Sequence, residues 1–90
     1  MYKVEWKDEA VESLEKFGKI MARKIRDRVE NHLAKNPSEF GKPLKGGLKG
    51  LWRYRCYSKY RVIYQLLSTK LIITIVEVGL RKNIYRKLEN

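Results

Sequence analysis

The 90-residue sequence predicts an α+β fold of order β-α-α-β-β-β: a helical hairpin packed on one face of a mainly antiparallel sheet, followed by a short C-terminal helix or tail. Three observations predict it. Residues 2–7 alternate apolar and charged side chains. Residues 8–35 carry apolar side chains every three or four positions, in two blocks separated by Gly18. Residues 51–78 hold three alternating runs divided by short turn signals.

Tyr2-Lys3-Val4-Glu5-Trp6-Lys7 has the pattern of a half-buried strand. Asp8 is expected to cap the helix that follows. Ala10, Val11, Leu14 and Phe17 form its apolar stripe, and Gly18 ends it. A second helix is expected over 19–35, with Met21, Ile25, Val29 and Leu33 on its inner face and Asn36-Pro37 as its stop. The two helices form an αα-hairpin. Residues 37–50, PSEFGKPLKGGLKG, are expected to be a flexible basic loop, and they lack the G-x-x-x-x-G-K-[ST] spacing of a nucleotide P-loop. Strands are expected over 51–57, 60–67 and 71–78, with turns at Ser58-Lys59 and Ser68-Thr69-Lys70, and a short helix over 82–88. No repeat, low-complexity tract or linker divides the chain, which predicts a single domain over 1–90.

A chain of this length buries roughly two-thirds of its unfolded surface and can fold without metal or disulfide. The single cysteine, Cys56, has no internal partner, which suggests a reducing, cytoplasmic setting. No apolar run approaches the ~18 residues of a membrane span, and the start lacks the apolar segment of a secretory leader. The net charge of +11 is unevenly spread. Residues 1–39 hold nine Lys/Arg and eight Asp/Glu, whereas residues 40–90 hold twelve and two. A one-sided excess of this kind repels itself, and a polyanionic partner explains it better than a merely solvated surface does.

Alternation places Trp52, Tyr54 and Cys56 on one face of their strand and Arg53, Arg55 and Tyr57 on the other. In the next strand Tyr60, Val62, Tyr64 and Leu66 oppose Arg61, Ile63 and Gln65. The apolar sets must meet the helices, leaving the arginines together on the open face. Directly paired residues share a face, so a two-residue turn, which sets Arg55 against Val62, is inconsistent. Pairing Arg55 with Arg61 restores agreement, and sets Tyr54 against Val62 and Trp52 against Tyr64. That register needs a three-residue loop or a bulge near Tyr57 to Lys59. Opposed arginines repel, and an anion between them relieves the repulsion. Arg53 and Arg55 stand ~7 Å apart, about one phosphate spacing. The competing reading is a solvated sheet face, against which stands the single sign of the cluster.

The only histidine, His32, lies far in sequence from these arginines and reads as structural. Cys56 faces the core without a histidine beside it, which argues against a thiol nucleophile. No residue set has metal-ligand or cofactor spacing, and the C-terminal half offers only Glu77 and Glu89 as carboxylates. What remains is charge stabilisation by arginine and proton handling by tyrosine. RNA carries its own nucleophile, the 2′-hydroxyl, so cleavage needs only in-line positioning and neutralised phosphate oxygens. Tyr85, near Arg81, is placed to stack on a base or shuttle a proton.

The order of these parts, with the P-S-E-F-G-K-P-L-K-G loop, the L-W-R-Y-R and Y-R-V-I-Y strands and the V-G-L-R-K-N-I-Y tail, resembles the RelE/ParE toxin superfamily over essentially the whole chain. The Y-R-V-I-Y-Q and V-G-x-R segments look most like RelE. The resemblance implies the toxin of a type II toxin–antitoxin pair: a metal-independent, cofactor-free endoribonuclease that cuts messenger RNA in the ribosomal A site, leaves a 2′,3′-cyclic phosphate and inhibits translation. It implies a RelB-like antitoxin as partner, and contact with operator DNA only through the toxin–antitoxin complex. The family's site falls on Arg53, Arg55, Arg61, Arg81 and Tyr85. Lys42, Lys45, Lys49, Lys59 and Lys82 are expected to attract RNA and ribosome. The second-strand basic pair is lysine in the best-known RelE and arginine here, and the histidine that many relatives carry before the tail arginine is Leu80. Arginine is a very poor proton donor at neutral pH, so proton transfer shifts toward Tyr85 or solvent. The alternatives are a ParE-like inhibitor of DNA gyrase and a non-catalytic RNA- or ribosome-binding protein.

Overall fold

In the computed structural model, which describes residues 1–89, strands run at Lys3–Trp6 (β1), Lys42–Pro43 (β2), Trp52–Cys56 (β3), Tyr60–Leu67 (β4) and Ile72–Leu80 (β5). Helices occupy Asp8–Glu15 (α1), Lys19–Asn31 (α2), Pro37–Phe40 (α3) and Ile84–Glu89 (α4). The sheet order is β1-β5-β4-β3-β2, antiparallel except for the parallel β1–β5 pair. No described helix is long and apolar enough to cross a membrane.

The core forms where the apolar stripes of α1 and α2 meet one sheet face. Ala10, Leu14, Ile25, Val29 and Leu33 pack with Tyr54, Cys56, Val62, Tyr64, Ile73, Ile75 and Val78, each at most 2% exposed. Each fully buried aliphatic side chain of this size stabilises the fold by roughly 1.5–3 kcal/mol. The β3–β4 register is the expected one, with Trp52 opposite Tyr64, Tyr54 opposite Val62 and Arg55 opposite Arg61.

Several expectations need correction. Asp8 is the first residue of α1 rather than its cap. The capping position is Lys7, without a side-chain bond, and Asp8 and Glu9 instead complement the helix dipole. The second helix stops at Asn31, because His32 leaves helical geometry, and Leu33–Lys35 forms a 3-10 turn. Residues 37–50 are not a plain loop. Pro37 starts α3, β2 extends the sheet edge against β3, and Gly46–Leu48 makes another 3-10 turn. Tyr64 ties this segment down by donating to the Pro37 carbonyl at 2.5 Å. Gly41 lies so close that an added Cβ would fall 1.8 Å from the Tyr64 hydroxyl oxygen.

Tyr57 does not share the arginine face. Three residues close the hairpin, and Tyr57 and Ser58 adopt left-handed φ values of 50° and 60°, which ends the alternation at Cys56. The Tyr57 ring lies instead against α2, with Lys24 Nζ 5.0 Å and Arg28 Cζ 5.1 Å from its centroid. The second sheet face is not open either: α4 packs across it. There Ile63 and Ile84 are buried and Arg61 is only 4% exposed. A bulge at Val76, between the pairs Ile63–Glu77 and Tyr64–Ile75, sets the facing of the end of β5. Unbroken alternation from Ile73 and Ile75 would point Glu77 into the core. The bulge turns Val78 inward and places Glu77 with the arginines.

Candidate active site

Arg53 and Arg55 come from β3 and Arg61 from β4. Arg81 follows β5, and Tyr85 stands on α4. Arg55 and Arg61 are direct ladder partners. On the next strand Gly79 pairs with Arg61 and presents no side chain, which opens space for α4 above it. Arg53 and Tyr85 are half-buried, and Arg55 and Arg81 are exposed.

Arg61 is the centre of this group. Its Nη1 donates to the Ser58 carbonyl at 2.7 Å and the Tyr60 carbonyl at 2.9 Å. The left-handed turn of the β3–β4 loop directs the Ser58 carbonyl at it. The Arg81 backbone N–H donates to Lys59 at 2.8 Å, so the same loop joins both arginines. Burial holds the Arg61 pKa below the usual guanidinium value. The positive charge of Arg55 adds to this, Tyr85 opposes it, and Arg53 and Arg81 lower it further. The four arginines and Tyr85 therefore share one electrostatic environment. Arg61 stays charged at neutral pH, and the field of its neighbours favours an anion beside it. Among the described residues its hydrogen bonds use only Nη1, so Nη2 and Nε remain for phosphate oxygens.

The expected binding lysines fall in three places. Lys42 pairs with Arg53 at the sheet edge. Lys59 and Lys82 line a cavity of about 310 Å³ with Ser58, Leu80 and Arg81. Lys45 and Lys49 are exposed on either side of the Gly46–Leu48 turn, apart from that cavity.

His32 takes a structural position. Its Nδ1 lies 2.7 Å from the Tyr54 hydroxyl, and its ring stacks on Phe40 at 4.1 Å between centroids. Arg28 donates to the same hydroxyl, which raises the Arg28 pKa. Cys56 is fully buried, and burial pushes its thiol up to about 11, against the smaller opposing charge of Arg28. Sequence reasoning missed Glu77, Lys87, Ser13 and Gly79, which fasten α4 above the arginines. The one legible signal was the isolation of Glu77 in a stretch otherwise rich in cations.

A family model described as the ParE toxin of the type II toxin–antitoxin system parDE matches residues 4–85. No curated protein sequence matches. Among solved structures, a chain of the RelBE2 toxin–antitoxin complex of Mycobacterium tuberculosis is 25% identical with a TM-score of 0.83, over 89% of this chain and 98% of that one. The isolated RelE toxin of E. coli is 18% identical with a TM-score of 0.69, over 99% and 96%. A YoeB/ParE toxin from Agrobacterium tumefaciens is 21% identical with a TM-score of 0.68, over 88% and 98%.

Proposed function

The chain belongs to the ParE toxin family of type II toxin–antitoxin systems, within the RelE/ParE superfamily, and from that premise we propose that it is an endoribonuclease that cuts messenger RNA in the ribosomal A site. The observation that carries this reading is the gathering of Arg53, Arg55, Arg81 and Tyr85 about the buried Arg61, with Arg55 its direct ladder partner. In the proposed reaction the 2′-hydroxyl attacks the adjacent phosphorus and the 5′-oxygen leaves. The products are a 2′,3′-cyclic phosphate and a 5′-hydroxyl. Arg61 and Arg81 neutralise the charge that grows on the phosphoryl oxygens. Arg53 and Arg55 hold the flanking phosphate, and Tyr85 stacks on a base or moves a proton. Lys42, Lys45, Lys49, Lys59 and Lys82 supply general attraction to RNA and ribosome. No step requires a metal or cofactor.

In the cytoplasm a RelB-like antitoxin would hold the toxin inactive, in keeping with the toxin–antitoxin complexes of the M. tuberculosis and E. coli proteins. Operator DNA would be reached only through that complex. A second reading, inhibition of DNA gyrase, is favoured by one observation: the matching family model is that of the ParE toxins. The purified protein incubated with programmed ribosomes, and separately with gyrase and relaxed plasmid, distinguishes the two. Cleavage at the A-site codon with supercoiling unaffected is the expected result. Blocked supercoiling without cleavage would establish the second reading, and ribosome binding without cleavage would leave a non-catalytic binder.

A further inference from the structure

Glu77 is the one buried carboxylate among the described residues, and it stands on the face that carries the arginines. A carboxylate removed from water is costly unless paired and hydrogen-bonded. Glu77 is both. One oxygen accepts from the Val78 N–H at 3.0 Å, and the other pairs with Lys87 Nζ at 3.0 Å. Lys87 also donates to Ser13 Oγ at 3.2 Å, so the pair connects β5, α4 and α1. Three residues back on α4, Ile84 seats on Gly79, where an added Cβ would lie 2.6 Å from its Cδ1. Positions 84 and 87 lie on the same helix face, and Tyr85 stands between them in sequence. A six-residue helix is not stable by itself, so these two anchors determine where α4 lies.

We propose that Glu77 is a positioning residue: through Lys87 it latches α4 onto the arginine face and so sets Tyr85 beside Arg61. The bulge at Val76 is the local device that turns this carboxylate out of the core and toward α4. The effect on cleavage rests on the ribonuclease reading, whereas the latch itself does not.

The test uses the full chain carrying Glu77→Gln, Lys87→Met or Lys87→Arg. Hydrogen exchange at the amides of α4 and at Arg61 Nε–H reads the latch directly. Glu77→Gln and Lys87→Met should speed both about tenfold and leave the β3–β4 amides unchanged, while Lys87→Arg should preserve protection. On programmed ribosomes the two breaking variants should lower kcat roughly tenfold at nearly constant KM. In a Tyr85→Ala background, which removes the ring, Glu77→Gln should add little further loss, because both act through that ring. Unchanged α4 exchange overturns the latch. Faster exchange with losses that simply multiply overturns the link to Tyr85. If the unaltered protein cleaves nothing, the ribonuclease reading fails while the exchange data still decide the latch and the cover over Arg61.

Discussion

Arg61 combines two properties that are hard to keep together: it is nearly removed from water, and it faces another arginine across the ladder. Carbonyls at 2.7 and 2.9 Å offset part of the cost, and a phosphate would offset more. Removing Arg61 or Arg81 should therefore cost roughly 2–4 kcal/mol of transition-state stabilisation, or ~30- to 1000-fold in single-turnover rate. Ribosome binding, measured by co-sedimentation, should fall much less, because the remaining cations supply the non-specific term. Tyr85→Phe separates the two roles of that ring: a loss of a few-fold identifies stacking, and a loss above ~100-fold identifies proton transfer. Cys56 has a different consequence. Its thiol is pushed from its usual 9.0 up to about 11, so the folded state resists ionisation that the unfolded chain undergoes. The unfolded chain then binds fewer protons above pH 9, and stability falls from about pH 9 to about pH 11. This contribution is on the order of 2 kcal/mol. Denaturant melts should show it in the unaltered protein and not in Cys56→Ala. Parallel slopes for the two would contradict it.

At the scale of elements, the parts with strong periodicity were legible. β4 falls at Tyr60–Leu67 as expected, and the opposed arginines follow from parity together with a short loop, because a register shifted by one residue mixes core and surface. What sequence did not reveal depends on non-local contact or on broken alternation. Nothing local marks Lys42–Pro43 as a strand, and it exists because β3 offers an edge there. Tyr57 and Ser58 are poor sequence signals for left-handed φ, and the loop keeps that geometry through bonds to Arg61 and Arg81. The Val76 bulge is silent in the sequence, yet it decides which way Glu77 points. The site arginines and tyrosine were readable as a set. The short helix expected over 82–88 is α4, but its place beside Arg61 was not legible, because that rests on non-local contacts with Gly79, Glu77 and Ser13. The tight contact at Gly41 gives a test at this scale. With backbone oxygen of Arg53 2.9 Å and the Tyr64 hydroxyl 1.8 Å from an added Cβ, Gly41→Ala must displace Tyr64 or β2. It should destabilise the protein by about 1–3 kcal/mol in denaturant melts, where an exposed Gly47→Ala change should cost under ~0.5 kcal/mol.

Across the whole molecule, charge is the dominant feature. Among the described residues only Lys3–Glu5 and Lys87–Glu77 form ion pairs, so most of the cations face solvent unpaired. Binding to RNA should weaken steeply with salt. Each phosphate-contacting lysine removed, Lys59→Ala or Lys82→Ala for instance, should flatten the log K against log salt slope by about 0.7 on single strands. An unchanged slope would place that lysine away from the RNA. The same excess of charge suits an acidic antitoxin segment, whose binding should be salt-sensitive in the same way. The central claim is that arginine-borne charge stabilisation, acting on RNA's own 2′-hydroxyl, carries the chemistry. Its most direct test is single-turnover cleavage of messenger RNA on programmed ribosomes, with the product ends identified, for the unaltered protein and for Arg61→Ala, Arg81→Ala. The account predicts a 2′,3′-cyclic phosphate at the A-site codon and loss of at least ~1000-fold in the double variant. Full activity in that variant, or a 3′-hydroxyl product end, would contradict it.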